Sequence, residues 1–277
     1  MAYKSILVHI DKAAAKNRYA VAADLAARCG GALTGVYLRT TLINQYVNIG
    51  SIGYLPPEDL DRLIKEHNQG QTEDAERAAD AFRSAASAAG VECEWRAVDG
   101  DTPDALVAEA RRADLTVLPT PSPNPPYNAH GSAVDVALGS GGPVLVVPPE
   151  APQGMVGHKV LIAWNGSREA ARALRDALPL IDPSAAVTVL SVRPEGADLT
   201  ADAGVRRRLE RLGFKPEMSV IASHEEAQVL IERQAKAMGA DLIVMGLYGH
   251  SRLQEFVLGG ASRELLHGQV APLLISH

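Results

Sequence analysis

Ser5-Ile-Leu-Val-His-Ile-Asp11 has a counterpart 154 residues further along the chain, Lys159-Val-Leu-Ile-Ala-Trp-Asn165. Both stretches are short aliphatic runs that end at a polar side chain, which is typical of a strand buried on both faces of a parallel sheet. The same offset aligns residues 33–38 with residues 187–192. The sequence therefore predicts two copies of one fold in a single chain.

The repeat continues at shorter offsets. Residues 113–118 match residues 240–245 at an offset of 127, and residues 143–147 match residues 272–276 at an offset of 129. The drop from 154 to 127 predicts about 27 extra residues between the second and fourth strands of the first copy, in an insert at about 39–65. Its apolar side chains within 40–54 indicate either a docking surface or a lid over their own half. A long helix through residues 56–89 is predicted to follow.

Helical segments separate the strands in both copies, so that each copy follows the pattern β-α-β-α-β-α-β-α-β. Strands that alternate with helices predict a parallel sheet covered by helices on both faces. We expect an α/β protein with two doubly wound five-stranded parallel-sheet domains in tandem, at residues 1–150 and 157–277. The third strands are expected at residues 91–98 and 215–222, and the linker at residues 149–157.

Composition limits the classes of function. The chain has 277 residues, is 47% hydrophobic and has a net charge of -6, which argues against nucleic acid as the main partner. Its two cysteines form no C-x-x-C, no secretory leader precedes the first strand, and no apolar run is long enough to span a membrane. We therefore expect a cytoplasmic protein with no membrane partner. The eight histidines have no metal-ligand spacing, so no metal site is expected.

Glycines follow the fourth strand of the second copy at a distinctive spacing. Gly246 and Gly249 come directly after the strand, and Gly259-Gly260-Ala261-Ser262 opens a segment with helical periodicity. Glycine allows close backbone approach, and the free N–H groups of a helix start bind phosphate. The pattern favours an anion cradle, with ordinary turn glycines as the alternative.

A second motif is expected at the same place. In doubly wound sheets, ligands bind at the carboxyl ends of the strands where the strand order reverses, which lies between the first and fourth strands. Asn165-Gly166-Ser167 follows the first strand of the second copy, and Gly246 follows the fourth. The two motifs are therefore predicted to lie at one crevice.

The whole chain resembles the universal stress protein family in its tandem form. The ATP-binding members carry Gly-x2-Gly-x9-Gly followed by Ser or Thr, which Gly246, Gly249 and Gly259 match, whereas Gly260 replaces the hydroxyl residue. The family usually has Asp-Gly-Ser after the first strand, and Asn165 stands here for the aspartate. The resemblance implies an adenine-nucleotide α-hydrolase-like fold and ATP, with or without Mg²⁺. It also implies that residues 143–147 and 272–276 pair as edge strands in an intrachain pseudo-dimer; a further homodimer is left open.

The resemblance also implies a set of ligand-binding positions. Adenine would lie near Ser191 and Val192, and the phosphates would lie in the glycine loop. No catalytic residue and no metal ligand are expected. The expected nucleotide-binding residues are Asn165, Gly166, Ser167, Val192, Gly246, Gly249, His250, Ser251, Gly259, Gly260, Ala261 and Ser262.

The first copy has the opposite combination of motifs. It keeps a carboxylate, Asp11, after its first strand, but residues 119–131 contain five prolines where the second copy has glycines. Because proline lacks an amide donor, this segment cannot form a cradle of N–H groups, and we predict no nucleotide in the first half. His9 is expected to be a core or crevice-mouth histidine rather than a catalytic one, and Trp164 a packing residue at the crevice rim rather than a base-stacking platform.

Three functions remain in view. The first is an ATP-binding regulatory or stress-response protein, with the nucleotide in the second half and little or no turnover. The second is an interaction protein that binds no nucleotide and is built as a pseudo-dimer. The third is an enzyme, such as a slow ATPase, although the sequence has neither a Walker loop nor a Gly-x-Gly-x-x-Gly fingerprint.

Overall fold

The computed structural model describes residues 2–11, 16–39, 56–100, 103–121, 133–151, 156–194, 202–247 and 270–277. In the described part of the first half, which ends at residue 151, five strands alternate with four helices. They are β1 Ser5–Ile10, α1 Lys16–Cys29, β2 Ala32–Arg39, α2 Pro57–Ala88, β3 Cys93–Asp99, α3 Pro103–Ala110, β4 Leu115–Pro119, α4 Ala133–Ser140 and β5 Val144–Val147.

The second half begins at residue 156 and repeats the order, with a 3₁₀ turn at Leu178–Leu180 that extends its first helix. Its described elements are β6 Lys159–Ala163, α5 Arg168–Ala177, β7 Ala186–Arg193, α6 Ala203–Arg211, β8 Glu217–Ala222, α7 Ala227–Met238, β9 Leu242–Gly246 and β10 Leu273–Ser276. The helix expected at 263–268 lies outside the described residues.

All ten strands form one sheet in the order β3-β2-β1-β4-β5-β10-β9-β6-β7-β8. Each half contributes five parallel strands, as predicted, and the order reverses between the first and fourth strand of each half. The two edge strands β5 and β10 pair antiparallel, with Leu145 opposite Leu274. The predicted pairing of the halves through these segments is confirmed, and it merges the two five-stranded sheets into one.

Strand register agrees with the sequence offsets. Val8 lies opposite Val117 in the first half, and Ile162 lies opposite Val244 in the second. These pairs are related by the offsets of 154 and 127 read from the sequence. The repeat therefore extends to individual residue pairs across the sheet.

Helices cover both faces of the sheet, because the strands are apolar on both sides. On one face, Tyr19, Phe82, Leu174 and Leu209 from α1, α2, α5 and α6 share one core cluster that includes residues of both halves. The opposite face has its own cluster, to which α3, α4 and α7 contribute Leu106, Val136 and Ile231. The doubly wound arrangement predicted from the β-α alternation is confirmed.

The long helix α2 packs on its own half. It contacts α1 and the strands β1, β2 and β3, and its Phe82 side chain is fully buried. Gly35 in β2 makes room for Phe82, since a Cβ at position 35 would lie 2.9 Å from the phenyl Cε1 atom. Residues 40–55 lie outside the described residues, so the choice between a docking surface and a lid stays a prediction.

Polar contacts also join the halves. The hydroxyl of Tyr3 donates to the backbone carbonyl of Asp176 at the end of α5, and burial raises the pKa of this phenol. Arg28 in α1 donates to the carbonyls of Val156 at 2.7 Å and Leu180 at 3.3 Å. Among the described ranges, no helix is long and apolar enough to cross a membrane.

Candidate functional site

The second-half crevice lies at the carboxyl ends of β6 and β9, where the strand order reverses. These strands are neighbours, with Ala163 opposite Met245. Asn165 follows β6 and Gly246 ends β9. The structure thus brings Asn165 and Gly246, the first residues of the two sequence motifs, to the same edge of the sheet, where open α/β sheets bind ligands.

Residues 165–167 form a tight turn between β6 and α5. The backbone N–H of Ser167 donates to Asn165 Oδ1 at 3.0 Å, and Gly166 has a φ of 79°, which glycine adopts without strain. Ser167 is the N-cap of α5, because its Oγ accepts from the backbone N–H of Ala170 at 3.1 Å. The capping role was not predicted, although a serine directly before a helical segment was a usable signal.

Gly246 is required by close packing. A Cβ at this position would lie 2.4 Å from both the backbone N of Ala170 and the carbonyl C of Glu169. The first turn of α5 therefore rests directly on the end of β9. Gly246 is the last residue of that strand, rather than the residue after it as the sequence pattern suggested.

A buried carboxylate, which sequence analysis did not identify, lies beside this contact. The Glu169 side chain is 10% exposed, and its Oε1 atom is 2.9 Å from Arg168 Nη2. Its own backbone N–H holds the pKa of this carboxyl below the usual range, and the Arg168 guanidinium adds to the shift. A negative charge in the first turn also interacts favourably with the helix dipole.

The end of β7 forms the neighbouring wall. Val192 is half-buried, and the buried hydroxyl of Ser191 has no hydrogen-bond partner among the residues that the structure describes. Arg193 Nη2 is 2.6 Å from Oδ1 of Asp202, whose side chain is 4% exposed. No spacing rule in the sequence pointed to this ion pair, because its members lie on a strand and before a helix.

The remaining predicted ligand positions lie outside the described residues. They are Gly249, His250, Ser251, Gly259, Gly260, Ala261 and Ser262. Their assignment to the phosphate cradle stays a prediction. In the part of the chain that is described, no group of three or more His, Cys, Asp or Glu side chains could hold a metal ion.

The matching edge of the first half differs in two respects. Asp11 Oδ2 is bound by Arg18 Nη2 at 2.7 Å, and the Arg18 side chain is 3% exposed. Pro119 occupies the register position that corresponds to Gly246. The carboxylate that this half keeps is thus already paired within the chain.

Two side chains near the crevice edges lie as predicted. His9 in β1 is buried. Trp164 is half-buried and packs against the core cluster that contains α5 and α6, in agreement with a packing residue.

Fold and crevice together define a tandem α/β protein of the doubly wound class, whose second half carries the glycine spacing in its sequence. The model of the universal stress protein family matches residues 2–148 and again residues 157–277. The chain belongs to the universal stress protein family.

Known proteins agree with this membership. Universal stress protein Slr1230 of Synechocystis is 28% identical over 120 residues, which cover 42% of this chain and 41% of that protein; the match thus spans about two fifths of the relative. The crystal structure of a universal stress protein from Archaeoglobus fulgidus superposes with a TM-score of 0.68 at 15% identity, covering 98% of this chain and 95% of that one. This likeness supports the fold.

A universal stress protein solved in complex with cAMP is also similar to part of the chain. It covers 54% of this chain and 100% of its own, with 21% identity and a TM-score of 0.36. The cAMP in that complex is a ligand of that protein.

Proposed function

We propose that the second half binds one adenine nucleotide, ATP, and that the protein serves a regulatory or stress-response role with little or no turnover. The phosphates would lie on the glycine loop that begins at Gly246, with or without Mg²⁺. The ribose and adenine would lie between Asn165 and Val192. The first half would bind no nucleotide.

The observation that carries this proposal is the meeting of two motifs at one edge. The Asn165-Gly166-Ser167 turn comes shortly after β6, Gly246 is the last residue of the adjacent strand β9, and the glycine spacing of the sequence begins at Gly246. Backbone amides kept accessible by glycine bind phosphate without a dedicated cation. The hydroxyl of Ser191, which has no hydrogen-bond partner within the described ranges, would add a polar group to the wall on the adenine side.

Slow or absent turnover is supported by the carboxylates at this edge. Glu169 is held by Arg168 and Asp202 by Arg193. Because the pKa of Glu169 is lowered, its carboxylate is a weak general base for activating water at neutral pH. We infer that ATP acts as a bound signal rather than as a substrate.

A reducing cytoplasm fits the cysteines. Cys29 is buried, Cys93 is half-buried, and both are free thiols in the structure. We propose this location together with the regulatory role.

The direct experiment is to purify the protein, denature it and identify any released nucleotide by chromatography. We expect ATP in a near-stoichiometric amount, or saturable uptake of added ATP in calorimetry. ADP and phosphate that accumulate during incubation would instead favour an ATPase. A protein that is empty and fails to bind ATP would support the alternative of a pseudo-dimeric interaction protein.

A substitution tests the position of the phosphates. Gly249→Val should abolish ATP binding, because a branched side chain blocks close approach of the loop backbone. The matched control is Gly70→Val in α2, where an added Cβ meets nothing within 4 Å. Unchanged ATP affinity in Gly249→Val would refute the assigned phosphate loop.

A further inference from the structure

The orientation of the Asn165 amide is fixed by its neighbour. The atom that faces the Ser167 backbone N–H must be an acceptor, so Oδ1 faces the turn at 3.0 Å and the amide nitrogen faces away from it. Asn165 is exposed at the crevice, and its amide nitrogen donates to no group in the described ranges. Asn165 therefore presents a hydrogen-bond donor to the crevice.

An aspartate at this position would present the opposite polarity. One carboxylate oxygen would accept from the Ser167 N–H and preserve the turn, while the other would face the crevice as a charged acceptor. Asparagine in place of aspartate thus changes the atom that faces the crevice from an acceptor to a donor and removes one negative charge. Ribose hydroxyls can form hydrogen bonds with either a carboxylate or an amide. A phosphate ester on the ribose is repelled by the carboxylate and can accept a hydrogen bond from the amide nitrogen.

We infer that the Asn165 position selects adenine nucleotides that carry a second phosphate on the ribose 2′ or 3′ oxygen. This inference rests on the proposed function, since it concerns the sugar side of the same crevice. Dinucleotide-binding folds discriminate at the sugar in a similar way: an acidic residue holds the free ribose 2′-hydroxyl, or an arginine nearby accommodates a 2′-phosphate. In this chain the donor would be the Asn165 amide.

Local charges agree with an anionic sugar. Two carboxylates near this edge are neutralised by arginines: Glu169 lies 2.9 Å from Arg168, and Asp202 lies 2.6 Å from Arg193. With Asn165 uncharged, these two pairs contribute no net negative charge at the ends of β6 and β7. The first half differs, because Asp11 keeps its carboxylate and is paired with the buried Arg18.

Calorimetric titration with three ligands tests the inference. The ligands are AMP, adenosine 2′,5′-bisphosphate and adenosine 3′,5′-bisphosphate, each titrated into the full chain. We expect one of the bisphosphates to bind about tenfold more tightly than AMP, the effect of one additional charge-assisted hydrogen bond. Asn165→Asp should remove or reverse this preference while keeping the turn and the melting temperature.

The control is Asn68→Asp, which makes the same change on an exposed position of α2 and should leave the preference intact. Equal affinities of AMP and both bisphosphates, or an unchanged ratio in Asn165→Asp, would overturn the inference while leaving nucleotide binding established. Failure of all adenine nucleotides, ATP included, to bind would overturn the proposed function and this inference together.

Discussion

At the residue scale, Gly246 acts through its missing Cβ and Asn165 acts through its side-chain amide. Gly246 has no Cβ, and this absence lets the first turn of α5 approach the end of β9. Asn165 uses its oxygen to close the turn before α5 and leaves its nitrogen for the crevice. Local backbone geometry at these two positions therefore determines which groups a ligand would meet.

The packing at Gly246 can be tested by adding one methyl group. Gly246→Ala should lower the free energy of unfolding by about 1 to 3 kcal/mol, because the new Cβ overlaps backbone atoms of α5 that cannot rotate away. Gly70→Ala in α2 is the control and should raise stability by about 0.5 to 1 kcal/mol, since alanine favours helix. Urea denaturation of both variants measures the difference. No loss of stability in Gly246→Ala would contradict the close approach.

The buried carboxylate of Glu169 gives a pH-dependent prediction. Its pKa is lowered from the ordinary value of 4.5, so the folded state favours the ionised form. The stabilisation is fully present above pH 4.5 and is lost as the pH falls through the lowered pKa. Wild type should therefore exceed Glu169→Gln in stability by more at pH 7 than at pH 3 in urea denaturation. A difference that grows on acidification would contradict this sign.

At the scale of elements, the two halves differ at the ends of their first strands, β1 and β6. In the first half, Asp11 is bound by Arg18 from α1. The residue 154 positions after Arg18 is Arg172, which instead donates to the carbonyl of Gly141 and lies 3.5 Å from Asp176. In the first half the helix thus supplies a buried cation to its own strand end, whereas in the second half the corresponding arginine contacts other groups.

Removal of Asp11 should therefore be costly. Asp11→Ala leaves the buried Arg18 guanidinium without its carboxylate partner and should destabilise the protein by about 3 kcal/mol. The double variant Asp11→Ala with Arg18→Met should recover much of this loss, because no unpaired charge then remains. Thermal denaturation of the two variants measures both values. A double variant less stable than Asp11→Ala would refute the role of the buried charge.

Strands and helices could be predicted where one signal dominates. Aliphatic runs such as that of β1 and the long segment of α2 are local patterns, and the register that the two halves share agrees with the offsets between the copies. The pairs Arg18–Asp11 and Arg193–Asp202 could not be predicted, because they depend on how a helix start meets a strand end. The role of Gly246 was half predicted: close approach was expected, but to a ligand rather than to α5.

At the scale of the whole molecule, the two halves form one structural unit. Their sheets join through β5 and β10, and one core cluster on the face of α1 and α5 includes side chains of both halves. Tyr3 and Arg28 add hydrogen bonds from the first half to the second. The proposed nucleotide in the second-half crevice would therefore stabilise a sheet that the first half shares.

This continuity predicts cooperative unfolding. The chain has two tryptophans, Trp95 in β3 and Trp164 after β6, so each reports on one half. In each of the two variants Trp95→Phe and Trp164→Phe, the urea midpoint from the remaining tryptophan's fluorescence should equal the midpoint from circular dichroism, since neither half unfolds alone. Different fluorescence and circular dichroism midpoints within either variant would contradict a single unit.

The central claim concerns how many nucleotides the whole molecule holds. One half combines the Asn165-Gly166-Ser167 turn with the glycine spacing that begins at Gly246 in the sequence, and the other combines a paired Asp11 with Pro119. Native mass spectrometry of the protein with excess ATP counts bound nucleotides per chain directly. The account predicts one ATP per chain in the wild type and none in Gly249→Val. Two per chain, or one that persists in Gly249→Val, would contradict it.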